Sequence, residues 1–372
     1  MKILIADKLS KSAGASLEKM GHQVLSLPDV TAEDLPSKVG DAEVLIVRSK
    51  KVTGAAIEAG KSLSVIIRAG AGVNTIDVQK ACSVGIHVTN CPGKNTEAVA
   101  ELAIGLMIAA DRRIVDATQD LRQGKWRKKE YGKAHGLKDR TLGVIGLGSI
   151  GKSVVARAQG LEMKVAAWSR SLTPELAEEM GIEYCDSPLK VAEKADVISL
   201  HVAAKPETKK MVNKDFLARM KDGAILINTS RGDIIDTAAL KEAIKAKKLR
   251  VGLDVFDNEP AGGEDVFADL ELAGMVIGTP HVGASTDQAS EAIAAEVVRI
   301  VKVYQETGTP PNTVNIRKKT SAVINLVVRH FNKVGVIAGV LDELRNGGVN
   351  IEEMENLIFE GGSAACCTLK LD

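Results

Sequence analysis

The chain has little of what several protein classes require. Only 3% of its 372 residues are aromatic, which argues against an aromatic-rich β-sandwich. Its 49 Lys+Arg and 48 Asp+Glu leave a net charge of only +1. Since nucleic-acid backbones are held by a basic surplus, no nucleic-acid partner is expected. No apolar stretch reaches the ~18 residues that a membrane helix needs, so no membrane partner is expected either.

Cysteines are also few and lack a pattern. The five cysteines lie at positions 82, 91, 185, 366 and 367. They lack the regular spacing of a disulfide framework and the neighbouring histidines that would complete a metal site. We therefore expect reduced thiols, no disulfide framework and no metal. The initial run MKILIADK is interrupted by Asp7 before it has the length of a secretory signal, so a cytoplasmic location is expected.

Short apolar runs rich in Val and Ile alternate with Ala-, Glu- and Lys-rich stretches almost throughout the chain. Continuous apolar runs followed by helices predict strands buried on both faces of a parallel sheet. The series restarts near Leu142, between long predicted helices at 96–122 and 285–305. We expect an α/β fold with two doubly wound, Rossmann-like parallel-sheet domains, one inserted in the other. A small α+β module follows the linker at 308–320.

The segment GVIGLGSIG (143–151) carries Gly-x-Gly-x-x-Gly between a predicted strand and helix, and the next strand arrives at 164–168. Such glycines allow a tight turn, a close approach of a pyrophosphate to the backbone and close packing of helix on strand. This context predicts a dinucleotide site, whereas a glycine-rich turn without a ligand is the alternative. The predicted phosphate-binding residues are Gly146, Gly148, Ser149, Ile150 and Gly151.

The end of that next strand is where adenosine ribose is usually recognised. An acidic residue there would bond the ribose hydroxyls and indicate NAD, but the chain has Ser169 and Arg170. Arg170 is able to pair with a 2′-phosphate. The cofactor is therefore predicted as NAD or NADP, with a slight preference for NADP. An Arg170 directed only into solvent is the alternative.

Three polar residues follow predicted strands of the inserted domain: Arg231, Glu259 and His281. Ligands of open α/β sheets bind outside the carboxyl ends of the strands, so these side chains are expected to converge. Histidine suits proton transfer near neutral pH, a carboxylate orients it, and arginine binds a substrate carboxylate. The alternative is three unrelated surface residues.

Five motifs together resemble one family. They are NTSRGDIID (228–236), GLDVFDNEP (252–260), TPHVGAST (279–286), GVIGLGSIG (143–151) and NCPGKNTEAVAEL (90–102). The chain is similar in all five to the D-isomer-specific 2-hydroxyacid dehydrogenases. Within that family, segments 47–53, 66–77 and 124–129 look most like the phosphoglycerate dehydrogenases. Residues 321–372 resemble part of the amino-acid-binding ACT module.

This resemblance implies domain limits and site residues. It predicts a substrate-binding domain at 1–95 and 283–316, a dinucleotide-binding domain at 96–282 and a partial ACT-like domain at 321–372. His281 would donate and accept the proton, with Glu259 as its partner and Arg231 on the substrate carboxylate and carbonyl. Further residues implied to bind the cofactor are Thr229, Asp254 and Gly283.

The resemblance also implies a substrate with two anionic ends. Backbone N–H groups of Ala71 and Gly72 would bind its carboxylate. The candidate phosphate ligands are Arg48, Arg68 and one of Arg127 or Lys128. For 125–129 a solvated basic loop is the alternative.

The C-terminal module predicts regulation and assembly. His330, Asn332 and Asn350 match the serine-binding positions of the ACT module, with helix and loop capping as the alternative role. The module lacks its closing helix and strand, so residues 322–330 are expected at an open sheet edge. A homodimer or higher homo-oligomer through residues 97–130 is expected.

These features together predict an NAD(P)-dependent enzyme acting on a small-molecule substrate. The leading reaction is oxidation of 3-phospho-D-glycerate to 3-phosphohydroxypyruvate, the first step of serine biosynthesis. The alternatives are a glyoxylate/hydroxypyruvate reductase and a non-catalytic, dinucleotide-sensing binding protein.

Overall fold

A computed structural model describes residues 1–260 and 266–372, which form two compact units, Met1–Val314 and Asn315–Asp372. The first sheet of the larger unit has five parallel strands in the order β2-β1-β3-β4-β5. Its elements are β1 Lys2–Ile5, α1 Lys11–Lys19, β2 Gln23–Ser26, α2 Leu35–Val39, β3 Val44–Val47, α3 Gly54–Ala59, β4 Val65–Arg68, α4 Val78–Ser83 and β5 His87–Asn90.

The second sheet has seven parallel strands in the order β12-β11-β10-β9-β6-β7-β8. Three helices precede it, α5 Thr96–Arg112, α6 Ile114–Arg122 and α7 Lys128–Tyr131. Its own elements are β6 Thr141–Ile145, α8 Ser149–Gly160, β7 Lys164–Trp168, α9 Pro174–Glu179, β8 Glu183–Tyr184, α10 Pro188–Lys194, β9 Val197–Leu200, α11 Lys214–Arg219, β10 Ile225–Asn228, α12 Thr237–Lys247, β11 Arg250–Leu253, α13 Leu270–Ala273 and β12 Ile277–Gly278. The long helix α14 (Asp287–Thr307) follows.

Both parallel sheets are covered on two faces, as their continuous apolar strands require. Helix α5 lies against the second sheet, where Leu106 and Met107 pack with the residues of β6 and β10. Helix α14 returns to the first sheet, where Ile293 and Val297 pack against β1 and β4. The prediction of two doubly wound parallel sheets is confirmed. None of the described helices is long and apolar enough to cross a membrane.

The single long helix predicted over 96–122 is wrong. Arg113 adopts a left-handed conformation (φ 51°), which ends α5 and separates it from α6. Its guanidinium forms ion pairs with Asp116 and Glu130 and lies 4.9 Å from the centre of the Tyr131 ring. These contacts stabilise a bend that no glycine or proline in the sequence indicates.

The smaller unit contains β13 Ile324–Phe331, α15 Val336–Asn346, β14 Ile351–Ile358 and β15 Ala364–Leu371. Its strands are antiparallel neighbours in the order β13-β15-β14. The central strand β15 is the most buried, since Cys367, Leu369 and Leu371 pack beneath α15. Strand β13 lies at an edge, as predicted for residues 322–330.

Candidate active site

The turn between β6 and α8 has the shape that the glycine motif predicts. Gly146 is left-handed (φ 98°), and a Cβ there would overlap the His201 carbonyl, while one at Gly151 would overlap the Gly146 carbonyl. Position 148 faces open space at the start of α8, with no side chain capping the helix. Ser149 and Ile150 lie in the first helical turn, where backbone N–H groups lack helical partners, and their binding of a pyrophosphate stays a prediction.

His201 follows β9 directly beneath this turn and was not singled out in the sequence. Its Nε2 is 2.8 Å from the Ser199 hydroxyl, and burial lowers the pKa of His201 from 6.5 to about 4. The imidazole is therefore neutral near pH 7. The pattern DVISLH by itself indicates only a buried strand. The position of His201 at the end of that strand was the only signal in the sequence for a functional role.

The residues predicted to select the cofactor lie at the end of β7. Arg170 forms an ion pair with Glu207, with 3.1 Å between Nη1 and Oε1, and both side chains are more than half exposed. Ser169 accepts a hydrogen bond from the Leu172 N–H through its backbone carbonyl. The Arg170 charge is thus partly neutralised by Glu207, which comes from a turn 37 positions further along the chain.

The predicted pair of Glu259 and His281 is brought together. His281 Nδ1 lies 2.7 Å from Glu259 Oε2, and the other carboxylate oxygen accepts a hydrogen bond from the Phe256 N–H. Burial opposes ionisation of Glu259, but the hydrogen bond and charge of His281 outweigh it and lower the pKa of Glu259 below its usual 4.5. A carboxylate on Nδ1 leaves Nε2 available for proton exchange.

Asp254 shapes the loop that carries His281. The buried Asp254 carboxylate accepts hydrogen bonds from the Thr279 hydroxyl and from the backbone N–H groups of Val282 and Gly283. The His281 N–H donates to the Asp254 carbonyl at 2.8 Å, and His281 itself is left-handed (φ 53°). A side chain at position 283 would meet the Asp254 carboxylate, so the glycine belongs to this arrangement. Contact of Asp254 with the cofactor stays a prediction.

Arg231 follows β10 of the second sheet, and its side chain contacts a loop of the first sheet. A Cβ at Gly72 would be 2.5 Å from Arg231 Nη2, so the guanidinium lies against the loop 71–72. The turn before it is held by Asn228, whose amide donates to the Arg231 carbonyl at 2.8 Å. The Thr229 hydroxyl is buried and unpaired among the described residues, which leaves it available to a ligand.

Two further predicted cations share this region. Burial, together with the charges of Arg231 and Arg48, lowers the pKa of Arg68 from 12.5 to about 10. The buried Arg68 Nε has no hydrogen-bond partner within the described ranges. A partly buried arginine with an unpaired Nε, repelled by two neighbouring arginines, is costly, so the arrangement fits an anionic ligand.

Arg127 and Lys128 are not brought to this cluster. Arg127 Nε pairs with Asp120 at 3.4 Å, and Lys128 begins α7 in a wholly exposed stretch beside Trp126. In the part of the chain that the structure describes, neither side chain contacts Arg48 or Arg68. The segment 125–129 follows α6, and Arg127 pairs with Asp120 of that helix instead.

The predicted effector residues lie at two ends of the small sheet. His330 contacts Asn356 at 3.0 Å and Asn332 donates to the Gly362 carbonyl, whereas Asn350 donates to the Asp372 carboxylate. Strands β13 and β14 run in the same direction, so Asn350 and His330 are about 23 Å apart along the strand direction at ~3.3 Å per residue. One copy of the module therefore does not gather all three, and their effector role stays a prediction. No side chain caps helix α15, whose N-cap is Gly335, so these residues do not cap the helix, whereas the Asn332 bond to the Gly362 carbonyl agrees with the loop-capping alternative.

Comparison with known proteins agrees with this geometry. Residues 104–283 match the model of the D-isomer specific 2-hydroxyacid dehydrogenase NAD-binding domain. The chain is 38% identical to a D-3-phosphoglycerate dehydrogenase of Methanocaldococcus jannaschii, over 97% of this chain and 68% of that protein. It is 40% identical to a hydroxypyruvate reductase of Thermotoga maritima, over 82% of this chain and 98% of that protein.

A solved structure gives the same assignment. The NAD⁺-bound 3-phosphoglycerate dehydrogenase of Entamoeba histolytica superposes with a TM-score of 0.71 at 30% identity, covering 85% of this chain and 99% of that one. The family resemblance expected from the motifs is thus confirmed, and a nicotinamide dinucleotide is the cofactor that the matched domain binds. The chain belongs to the D-isomer-specific 2-hydroxyacid dehydrogenase family.

Proposed function

We propose that this dehydrogenase oxidises 3-phospho-D-glycerate to 3-phosphohydroxypyruvate, as in the first step of serine biosynthesis. The observation that carries the proposal is the partly buried Arg68 side chain, whose buried Nε has no hydrogen-bond partner among the described residues and which feels the charges of Arg231 and Arg48. A substrate with a carboxylate and a phosphate would neutralise this excess charge, whereas a lactate-like substrate would neutralise only part of it. The domain limits given above for substrate and dinucleotide belong to the same proposal.

Proton transfer is assigned to His281. When bound, the nicotinamide supplies acceptance or donation of a hydride at C2 of the substrate. In the oxidative direction His281 Nε2 takes the hydroxyl proton, and Glu259 stabilises the resulting imidazolium through Nδ1. Arg231 polarises the C2 oxygen and binds the adjacent carboxylate. In the reductive direction the same Nε2 returns the proton to the carbonyl oxygen.

The first sheet is assigned to substrate binding. We assign the substrate carboxylate to the N–H groups of Ala71 and Gly72, beside Arg231. Arg68 and Arg48 are then left for the phosphate, and Arg127 or Lys128 would reach it only after rearrangement or from a second copy. Thr229, Asp254 and Gly283 are proposed to line the nicotinamide end of the cofactor.

A reductase acting on hydroxypyruvate or glyoxylate is the second candidate. The 40% identity to the Thermotoga hydroxypyruvate reductase favours it, as does the absence of an acidic residue at position 169. A non-catalytic, dinucleotide-sensing role is disfavoured because the hydrogen-bonded Glu259–His281 pair is assembled.

For the cofactor we propose that NADP(H) is used at least comparably to NAD(H). Ser169 cannot accept the paired ribose hydrogen bonds that an aspartate would, and it does not repel a 2′-phosphate. Glu207 competes for Arg170, so the preference for NADP depends on release of that ion pair.

Assembly and regulation complete the proposal. Exposed apolar side chains of segment 97–130, among them Leu121 and Trp126, favour a homodimer or higher oligomer through this region.

We propose serine as an effector of the 321–372 module and a cytoplasmic location for the protein. Deletion of 321–372 is then expected to keep the dimer and the activity but to abolish any effect of serine; a monomer in sedimentation would contradict the assembly.

The test is an assay of the purified protein with phosphohydroxypyruvate, hydroxypyruvate and glyoxylate, each with NADH and NADPH. We expect the highest kcat/KM for the phosphorylated substrate. A higher kcat/KM for hydroxypyruvate or glyoxylate would establish the reductase instead. Dinucleotide binding without turnover of any of the three would establish the binding protein.

A further inference from the structure

The loop proposed to bind the substrate carboxylate is held from the neighbouring strand. Residues 70–72 follow β4, and the Asn90 amide at the end of β5 donates to the Ala71 carbonyl at 2.6 Å. The Cys91 N–H donates to the Gly70 carbonyl at 3.0 Å. These bonds set the direction of the peptide units at 70–72 and therefore the direction of their N–H groups.

Asn90 is itself held by a segment more than 200 positions along the chain. Residues 311–314 run alongside β5, with the Val314 N–H donating to the Val88 carbonyl and the Thr89 hydroxyl donating to the Pro311 carbonyl. Within this segment the Asn312 amide donates to the Asn90 carbonyl at 3.2 Å. The segment ends where the smaller unit begins, at Asn315.

Two acceptors define the orientation of the Asn312 side chain. Its Nδ2 donates both to the Asn90 carbonyl and to Oε1 of Glu296, at 2.7 Å. A flipped amide would place its oxygen against a carbonyl and a carboxylate, which is unfavourable. Glu296 belongs to α14, is only 5% exposed and forms ion pairs with Arg299 and Lys94. The amide therefore connects a rigid helix to the end of β5.

We propose that Asn312 is a positioning residue for substrate binding, acting through Asn90 on the Ala71–Gly72 loop. This inference rests on the proposed function, in which that loop binds the substrate carboxylate. Asn312 touches neither substrate nor cofactor in this scheme. Its loss lets the end of β5 and the loop relax, which weakens carboxylate binding and leaves the proton transfer at His281 intact.

The left-handed backbone of Asn312 (φ 60°) allows a sharp test, because glycine keeps that conformation without strain. For Asn312→Gly we expect a rise of about tenfold in the KM for the 2-oxo acid and in the Kd for oxamate with reduced cofactor. The kcat and the cofactor KM are expected to stay within about twofold. Thr313→Val is the matched control, since it removes only the hydroxyl bond to the Pro310 carbonyl and is expected to leave the KM unchanged.

A double-mutant cycle tests the route. Asn90→Ala leaves segment 311–314 intact and is expected to raise the same two constants. In that background Asn312→Gly is expected to add little, because the side-chain bond to Ala71 is already lost. An unchanged KM in Asn312→Gly, an equal rise in Thr313→Val, or full additivity in the cycle would overturn the inference while wild-type activity stands. A wild type that neither turns over a 2-oxo acid nor binds oxamate would instead overturn the proposed function.

Discussion

The two sides of the candidate site differ in how completely their side chains are paired. On the second sheet, Glu259, His281 and Asp254 are joined by hydrogen bonds that fix the loop around them. On the first sheet, the buried Nε of Arg68 has no hydrogen-bond partner among the described residues, and its guanidinium is repelled by Arg231. The first arrangement is complete without a ligand, and we expect the second to be completed by one. We therefore expect changes on the second sheet to alter kcat and changes on the first sheet to alter KM.

The largest expected effect is on the paired side. His281→Asn is expected to lower kcat by at least two orders of magnitude, since a positioned acid–base group contributes roughly 10²–10⁴-fold. Dinucleotide binding, followed by fluorescence titration, is expected to change little. Near-wild-type turnover of every 2-hydroxy acid tested would show that the proton is exchanged elsewhere.

On the unpaired side, Arg68→Lys keeps the charge but removes the planar fork that binds an anion through two bonds. The KM for phosphohydroxypyruvate is expected to rise roughly 10- to 100-fold, because bonds to charged groups contribute about 1.5–3 kcal/mol. The KM for hydroxypyruvate, which has no phosphate, serves as the internal control and should change much less. An equal rise for both substrates would remove Arg68 from the phosphate site.

The preference between NAD(H) and NADP(H) is expected to depend on a third region, the exposed ion pair of Arg170 and Glu207. We expect Glu207→Gln to raise kcat/KM for NADPH by a factor of about two to five, because exposed pairs are worth only ~0.2–1 kcal/mol. Ser169→Asp is expected to shift the preference toward NADH by repelling the 2′-phosphate. A wild-type preference of a hundredfold for NADH would contradict the proposal for NADP.

The smallest expected effect is a displacement along the pH axis. Against the effect of burial, hydrogen bonding to His281 lowers the pKa of Glu259 below its usual 4.5, and the Glu259 charge stabilises the imidazolium formed during oxidation. Glu259→Gln removes that charge, and the acid limb of the oxidative pH profile is expected to move to lower pH. The check is kcat/KM from pH 5 to 9; a limb that stays in place would mean that Glu259 only orients the ring.

The same contrast explains which predictions were accurate. Most of the strands, the glycine turn and the Glu259–His281 pair depend on local patterns or on the shared edge of one parallel sheet, so they were accessible from the sequence. The break at Arg113 depends on Glu130 and Tyr131, which are distant in sequence and carry no local signal. The effector residues were predicted by matching single positions to the ACT module. The structure separates Asn350 from His330, because β13 and β14 run in the same direction and the two residues lie at opposite ends of them.

The sequence by itself determined the α/β class, the dinucleotide turn and the identity of the polar residues at strand ends, because apolar runs and glycine spacing act over a few residues. Only the tertiary structure decided which charges lie close to one another. It gathered Arg48, Arg68 and Arg231 from two sheets and left Arg127 with Asp120. It also engaged Asp254 in the His281 loop and aligned Asn312 with Asn90. Such pairings depend on how distant segments pack, since burial and repulsion are set by neighbours in space and not by neighbours in the chain.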